Sequence, residues 1–138
     1  MRILFTAFFV VSIFWGCIAQ SITDKKTTWS SVTLTDISNN STIDLNSQFI
    51  LDHNQTIKWV QRGGELTYTF DITNVSGQWS NTDEPGSIDC TVTINGLTGN
   101  IEFYRNNNGL EIKTNINRAG VNDMPFIFII SKVQINIP

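Results

Sequence analysis

The sequence predicts an all-β domain of about eight antiparallel strands in a meander, closed or nearly closed into a barrel, with a β-sandwich as the alternative. Two observations lead to this fold class. Apolar and polar residues alternate along most of the chain after residue 27, and turns rich in Gly and Asn separate the alternating runs. This period of two is typical of strands that have one face on a core and the other in water.

The first three strands are predicted before the chain midpoint. They lie at 29–35, within 42–52, where one or two short strands fit, and at 56–61. Gly63-Gly64 follows the third strand. Because two-residue loops of this type match the twist of antiparallel strands, we expect a tight hairpin at this point.

The fourth and fifth strands, at 65–73 and 87–94, show the clearest alternation of apolar and polar residues. Pro85-Gly86 lies just before the fifth strand. Proline fixes φ at the second position of a turn, and glycine tolerates a positive φ at the third. The sequence therefore predicts a type II turn over 84–87.

The last three strands are predicted at 100–105, 110–116 and 126–137. The turns Asn95-Gly96 and Asn108-Gly109 precede the first two of them and are typical of hairpins.

The start of the eighth strand, 126–130, is apolar on both faces. A strand with this composition is either covered on both sides or pairs with a partner chain.

The N-terminal segment 1–19 has the order of a secretory signal: Arg2, then an apolar run, then small residues ending at Ala19. Cleavage after Ala19 is the first interpretation. The alternatives are lipidation of Cys17 after cleavage before it, which would anchor the protein to a membrane, and an uncleaved anchor. We expect a secreted or cell-envelope protein (periplasm or outer surface), with a flexible leader at 20–27 and a single domain at 28–138.

The formal net charge of −3, and the absence of a basic cluster beyond Lys25-Lys26, argue against nucleic acid as a partner. Cys90 is the one cysteine that remains after cleavage, so the processed chain cannot form an internal disulfide. Its position on the apolar face of a strand predicts a buried, unreactive thiol.

The residues that commonly perform catalysis are few in this sequence. The one histidine, His53, lies among polar turn residues and is predicted to be exposed. The acidic loop 81–89 offers oxygen donors that could suit calcium, but its spacing fits a solvated turn better. We therefore expect no enzyme, no metal site and no cofactor.

The aromatic side chains are the remaining candidates for binding. Those expected inside a barrel either fill its core or line a pocket, since eight strands lie at the boundary between the two cases. The predicted ligand-binding residues are Trp59, Tyr68, Phe70, Trp79 and Phe103.

The segment 68–79, in which an alternating strand leads into Gly77-Gln-Trp79, resembles the small exported lipocalin-like (calycin) domains of bacterial envelopes. The resemblance covers about 65–105, and Trp29 would match a tryptophan in the first strand of those domains. It implies an up-and-down barrel whose apolar interior could hold a small hydrophobic ligand.

Together these expectations favour an exported, non-enzymatic protein that binds a small hydrophobic ligand. The alternative is a cell-envelope module that recognises a protein or a carbohydrate, adhesin-like or inhibitor-like, through loops and an edge strand. Membrane contact is expected only if Cys17 carries a lipid.

Overall fold

The architecture is a closed eight-stranded antiparallel barrel in meander order, seen in a computed structural model that describes residues 20–118 and 121–137. This confirms the predicted fold class and decides for the barrel over the sandwich. The strands are β1 (Lys26–Asp36), β2 (Ser41–Asp52), β3 (Thr56–Gln61), β4 (Leu66–Ser76), β5 (Gly86–Ile94), β6 (Leu97–Asn106), β7 (Gly109–Arg118) and β8 (Val121–Asn136). The predicted signal segment 1–19, with Cys17, lies outside the described residues.

The barrel closes where β8 pairs with β1, from Lys26 opposite Asn136 to Asp36 opposite Phe126. On its other side β8 pairs with β7. Residues 126–129 are therefore paired on both sides, and they do not provide the free edge strand that the interaction-module alternative included besides loops. Its side chains divide between the faces: Phe128 is buried inside, whereas Ile129 is exposed outside.

Of the predicted two-residue hairpin turns, Asn95-Gly96 has the expected backbone, whereas β3 and β4 are joined by the four residues 62–65, and at 108–109 only Gly109 has a positive φ. Asn95 and Gly96 both have positive φ, at 49° and 77°, as a type I′ turn requires.

The type II turn predicted over 84–87 is wrong. Gly86 is the first residue of β5 and is not among the glycines with positive φ. A Cβ at Gly86 would lie 2.3 Å from Cδ1 of Trp79. Glycine is therefore required here because an indole packs on its backbone, and not because of the turn conformation.

The two ends of the barrel differ. At one end, here called the closed end, a 3-10 helix at Ile22–Asp24 lies beside the β4–β5 loop 77–85. Ile22 is 1% exposed, and its backbone N–H donates a hydrogen bond of 2.8 Å to the carbonyl oxygen of Trp79. The other end, here called the open end, carries the turns 37–40, 62–64 and 95–96.

The segment 20–27, predicted to be a flexible leader, forms a 3-10 helix and the start of β1, and Ile22 packs into the closed end. Ser21 and Asp24 form a capping box, in which the Asp24 carboxylate accepts a hydrogen bond of 3.1 Å from the Ser21 N–H. β1 then begins at Lys26.

The barrel interior contains two aromatic groups. Near the closed end, Trp29 packs against Trp79 and Phe103, with ring centroids 5.9 Å and 5.0 Å away. Toward the open end, Phe49 and Phe128 lie with Trp59. Burial of these large side chains and of the aliphatic residues between them supplies most of the stabilising free energy of such a fold. Within the described part of the chain, no helix has the length and apolar character needed to cross a membrane.

Candidate functional site

A cavity of about 360 Å³ lies inside the open end of the barrel. Its walls combine aromatic, aliphatic and uncharged polar side chains from β3 to β8. The lining residues are Trp59, Gln61, Tyr68, Phe70, Ile94, Asn95, Leu97, Thr114, Ile116 and Phe126.

The strand register brings these residues together. In the β3–β4 hairpin Trp59 lies opposite Tyr68, so both side chains point to the same face of the sheet. Across β7 and β8, Thr114 lies opposite Phe126. Because successive side chains alternate between the faces of a strand, the last inward positions before the open-end turns form a ring around the mouth.

The floor of the cavity is aromatic. The Trp59 indole stacks on Phe49, with centroids 5.6 Å apart and planes 9° apart, and meets Phe128 nearly edge-on at 5.3 Å. Phe49 and Phe128 are fully buried. The indole Nε1 donates a hydrogen bond of 3.2 Å to Oγ of Ser47, which fixes the rotation of the ring.

The polar side chains of the cavity carry two amides and two hydroxyls: Gln61, Asn95, Thr114 and Tyr68. Among the described residues that line the cavity, none carries a charge. Moving an ion into such a site would cost free energy that no opposite charge repays. The electrostatics therefore suit an uncharged ligand that has a large apolar surface and few polar groups.

The structure brings together three of the five predicted binding residues. Trp59, Tyr68 and Phe70 line the cavity, whereas Trp79 and Phe103 do not. Both belong to the packed aromatic group near the closed end.

Trp79 lies in the loop after β4. Because β4 runs from the open end to the closed end, this loop lies at the closed end. Its ring fills the closed end, where its Nε1 donates a hydrogen bond of 3.1 Å to the carbonyl oxygen of Glu84. Phe103 lies in the half of β6 nearer the same end. A side chain that points into the barrel is therefore not always a cavity residue, because its height along the barrel axis also determines whether it reaches the cavity.

Seven lining residues were missed by sequence reasoning. They share a position near an open-end turn or at the open-end half of a strand. These are Gln61, Ile94, Asn95, Leu97, Thr114, Ile116 and Phe126. In a meander all the odd-numbered turns lie at one end, so the alternation pattern together with the turn number could have grouped them.

The structure also shows the surroundings of His53 and the placement of side chains that could bind a metal. His53 is exposed as predicted and has a positive φ of 49°. Its Nδ1 lies 2.7 Å from the Asp52 carboxylate, and this hydrogen bond is the main cause that lowers the pKa of Asp52. Within the described residues, no three His, Cys, Asp or Glu side chains lie close enough together to hold a metal ion.

Cys90 is fully buried on the inner face of β5, as predicted. Burial, with a smaller contribution from the neighbouring Asp89 charge, raises its pKa to about 12.

On the outer face, the Tyr104 hydroxyl donates a hydrogen bond to the Glu111 carboxylate. Burial and this bond raise the pKa of Tyr104.

Comparison with known proteins assigns no family: no family model matches the chain, and no curated protein and no solved structure matches it significantly.

Proposed function

We propose that this domain is a non-enzymatic binding protein that holds a small, uncharged, mostly apolar molecule in the cavity at the open end of the barrel. The observation that supports this most is the difference between the two ends. Ile22 and Trp79 fill the closed end, whereas side chains of similar size at the open end leave about 360 Å³ empty.

The volume suggests the size of the ligand. An engineered apolar cavity of about 150 Å³ binds benzene, so this cavity would hold on the order of a dozen non-hydrogen atoms. It also falls within the range of natural small-molecule sites, about 300–1,000 Å³. The release of water from the apolar surface that such a ligand buries in the cavity would supply the affinity.

The composition of the walls supports binding without chemistry. The polar lining residues are Gln61, Asn95, Thr114 and Tyr68, and none of these described lining residues is a carboxylate, imidazole, amine or thiol. They can orient a ligand by hydrogen bonds, and the residues that most often act as general acid or base, His, Asp and Glu, are not among them. The signal-like segment 1–19 supports an exported location for this function.

The test is a fluorescence titration of the protein with 1-aminoanthracene, an uncharged apolar probe, together with native mass spectrometry. We expect one probe molecule per chain. Leu97→Trp adds an indole at the half-buried mouth and should weaken binding by about tenfold or more. Thr98→Trp adds the same group at the next residue, which is exposed, and should bind like the unmodified protein.

Native mass spectra of the purified protein also show any apolar molecule that remains bound from the cell. Failure of the unmodified protein to bind the probe, or equal weakening by both substitutions, would contradict the proposal.

A further inference from the structure

We infer that the ligand of this cavity carries an uncharged hydrogen-bond acceptor, such as a carbonyl or hydroxyl oxygen, that binds the Thr114 hydroxyl inside the barrel. The inference rests on the proposed function, because it names the chemical class of ligand and the residue that selects it. It starts from one buried polar side chain, and not from the apolar character of the walls.

Thr114 lies inside the barrel, one inward position away from the last inward residue of its strand before the mouth. β7 runs toward the open end, so Ile116 lies between Thr114 and the mouth. Thr114 lies opposite Ile101 on one side and opposite Phe126 on the other. The inward residue before it on the same strand is Ile112. The nearest inward side chains around the Thr114 hydroxyl are therefore apolar.

The Thr114 hydroxyl is buried and borders the cavity. The residue is 3% exposed, and it belongs to the cavity wall. In the part of the chain that the structure describes, this hydroxyl has no hydrogen-bond partner. It is also not sealed inside the protein, as the unpaired Oδ1 of Asp89 is. An oxygen that is neither paired nor sealed in such a buried residue faces the cavity space, where a ligand can reach it.

A ligand that fills the cavity determines whether this hydroxyl is paired. In the free protein, water that enters through the open end can serve as its partner. A purely apolar ligand displaces that water and leaves a buried donor unpaired, which costs free energy. A ligand with an acceptor oxygen at this point replaces the water and avoids the cost. Thr114 therefore selects ligands that have an oxygen on an otherwise apolar body.

The polar groups nearer the mouth have less influence on the choice of ligand. Asn95 is exposed in the turn between β5 and β6, and Tyr68 is 41% exposed. Gln61 is half-buried at the end of β3. Because solvent reaches these three side chains from outside the cavity, an apolar ligand does not leave their polar groups unpaired.

The test compares 1-tetralone with tetralin by isothermal titration calorimetry on the full domain. The two probes share a fused-ring skeleton and differ by one carbonyl oxygen. The measured quantity is the affinity for 1-tetralone divided by the affinity for tetralin. Thr114→Val keeps the branched shape of the side chain and removes the hydroxyl. We expect it to lower this ratio about tenfold, because it weakens binding of the ketone and strengthens binding of the hydrocarbon.

Two further substitutions are the controls. Thr114→Ser keeps a hydroxyl and should retain most of the ratio. Thr98→Val makes the same chemical change at an exposed residue of β6 and should leave the ratio unchanged. Circular dichroism checks the fold of each variant. If Thr114→Val does not fold, the same comparison is made between Thr114→Ala and Thr114→Ser, and the ratio should be lower in Thr114→Ala.

The outcomes separate the two proposals. An unchanged ratio in folded Thr114→Val protein, or an equal fall in Thr98→Val protein, would overturn the inference and leave the proposed function standing. Failure of the unmodified protein to bind either probe would overturn the proposed function itself.

Discussion

For individual residues of the site, the sequence predicts which face of the sheet the side chain occupies. Tyr68 and Phe70 alternate with threonine and aspartate, which places both inside the barrel. The same reasoning placed Phe103 inside, correctly, but it could not give the height of Phe103 along the barrel axis. Height depends on strand tilt and register, and these follow from pairing across the whole barrel.

Cys90 gives a prediction at this scale. Because its folded pKa is about 12, against an ordinary value of 9.0, about one molecule in ten thousand carries the thiolate at pH 8. We expect native protein to react with a thiol reagent such as DTNB only through unfolding, and denatured protein to react at once. Rapid labelling of the folded protein at pH 8 would contradict the burial of this thiol.

The raised pKa of Cys90 also has a consequence for stability. Between pH 9 and about 12 the folded state keeps a proton that the unfolded state releases, so this group lowers the free energy of unfolding as pH rises through that window. Urea midpoints should therefore fall between pH 8 and pH 11. In Cys90→Ala protein the fall should be smaller; Tyr104, whose pKa is also raised, would account for part of what remains.

At the scale of elements, the strands were predictable and the 3-10 helix was not. Each strand carries its period of two in its own residues, so local sequence is enough to place it. The short helix at Ile22–Asp24 has no such period. It contacts Trp79, which lies far away in the chain, although the Ser21 and Asp24 spacing of a capping box was a signal that could have been used.

This helix gives a prediction at the scale of elements. Ile22→Ala should lower the free energy of unfolding by about 2–4 kcal/mol, because it removes a fully buried side chain that closes the barrel. Urea unfolding followed by tryptophan fluorescence measures the change, and the slope m should stay the same. Gln20→Ala, two residues earlier and exposed, is the control and should change stability by less than about 0.5 kcal/mol. An equal effect of the two substitutions would show that Ile22 does not close the barrel.

For the whole molecule, the barrel followed from the sequence, but the difference between its ends did not. Eight alternating runs joined by short turns fit a closed meander. Which end is filled depends on a residue before the first strand, Ile22, and on one in a long loop, Trp79. The alternation of the strands contains no information about either, so a cavity at the open end could not be inferred from it.

The unequal ends predict unequal stability along the barrel. Amide hydrogen exchange should be slowest where strands meet the closed-end core, at 88–90 and 101–104, and about tenfold or more faster at the open-end turns 62–64 and 95–96. Mass spectrometry of peptic fragments gives these rates. Saturating 1-aminoanthracene should slow exchange at the open end and leave the closed end unchanged. Uniform exchange along the barrel would contradict the difference between the ends.

The pairing of Lys26 with Asn136 places the beginning and the end of the barrel side by side, at the end that Ile22 fills. Anything joined to the domain through either terminus, such as an affinity handle, a sensor surface or a neighbouring polypeptide, is consequently held on the side away from the cavity. The mouth then faces the surrounding solution whichever terminus is used, and a domain immobilised in this way keeps its cavity accessible.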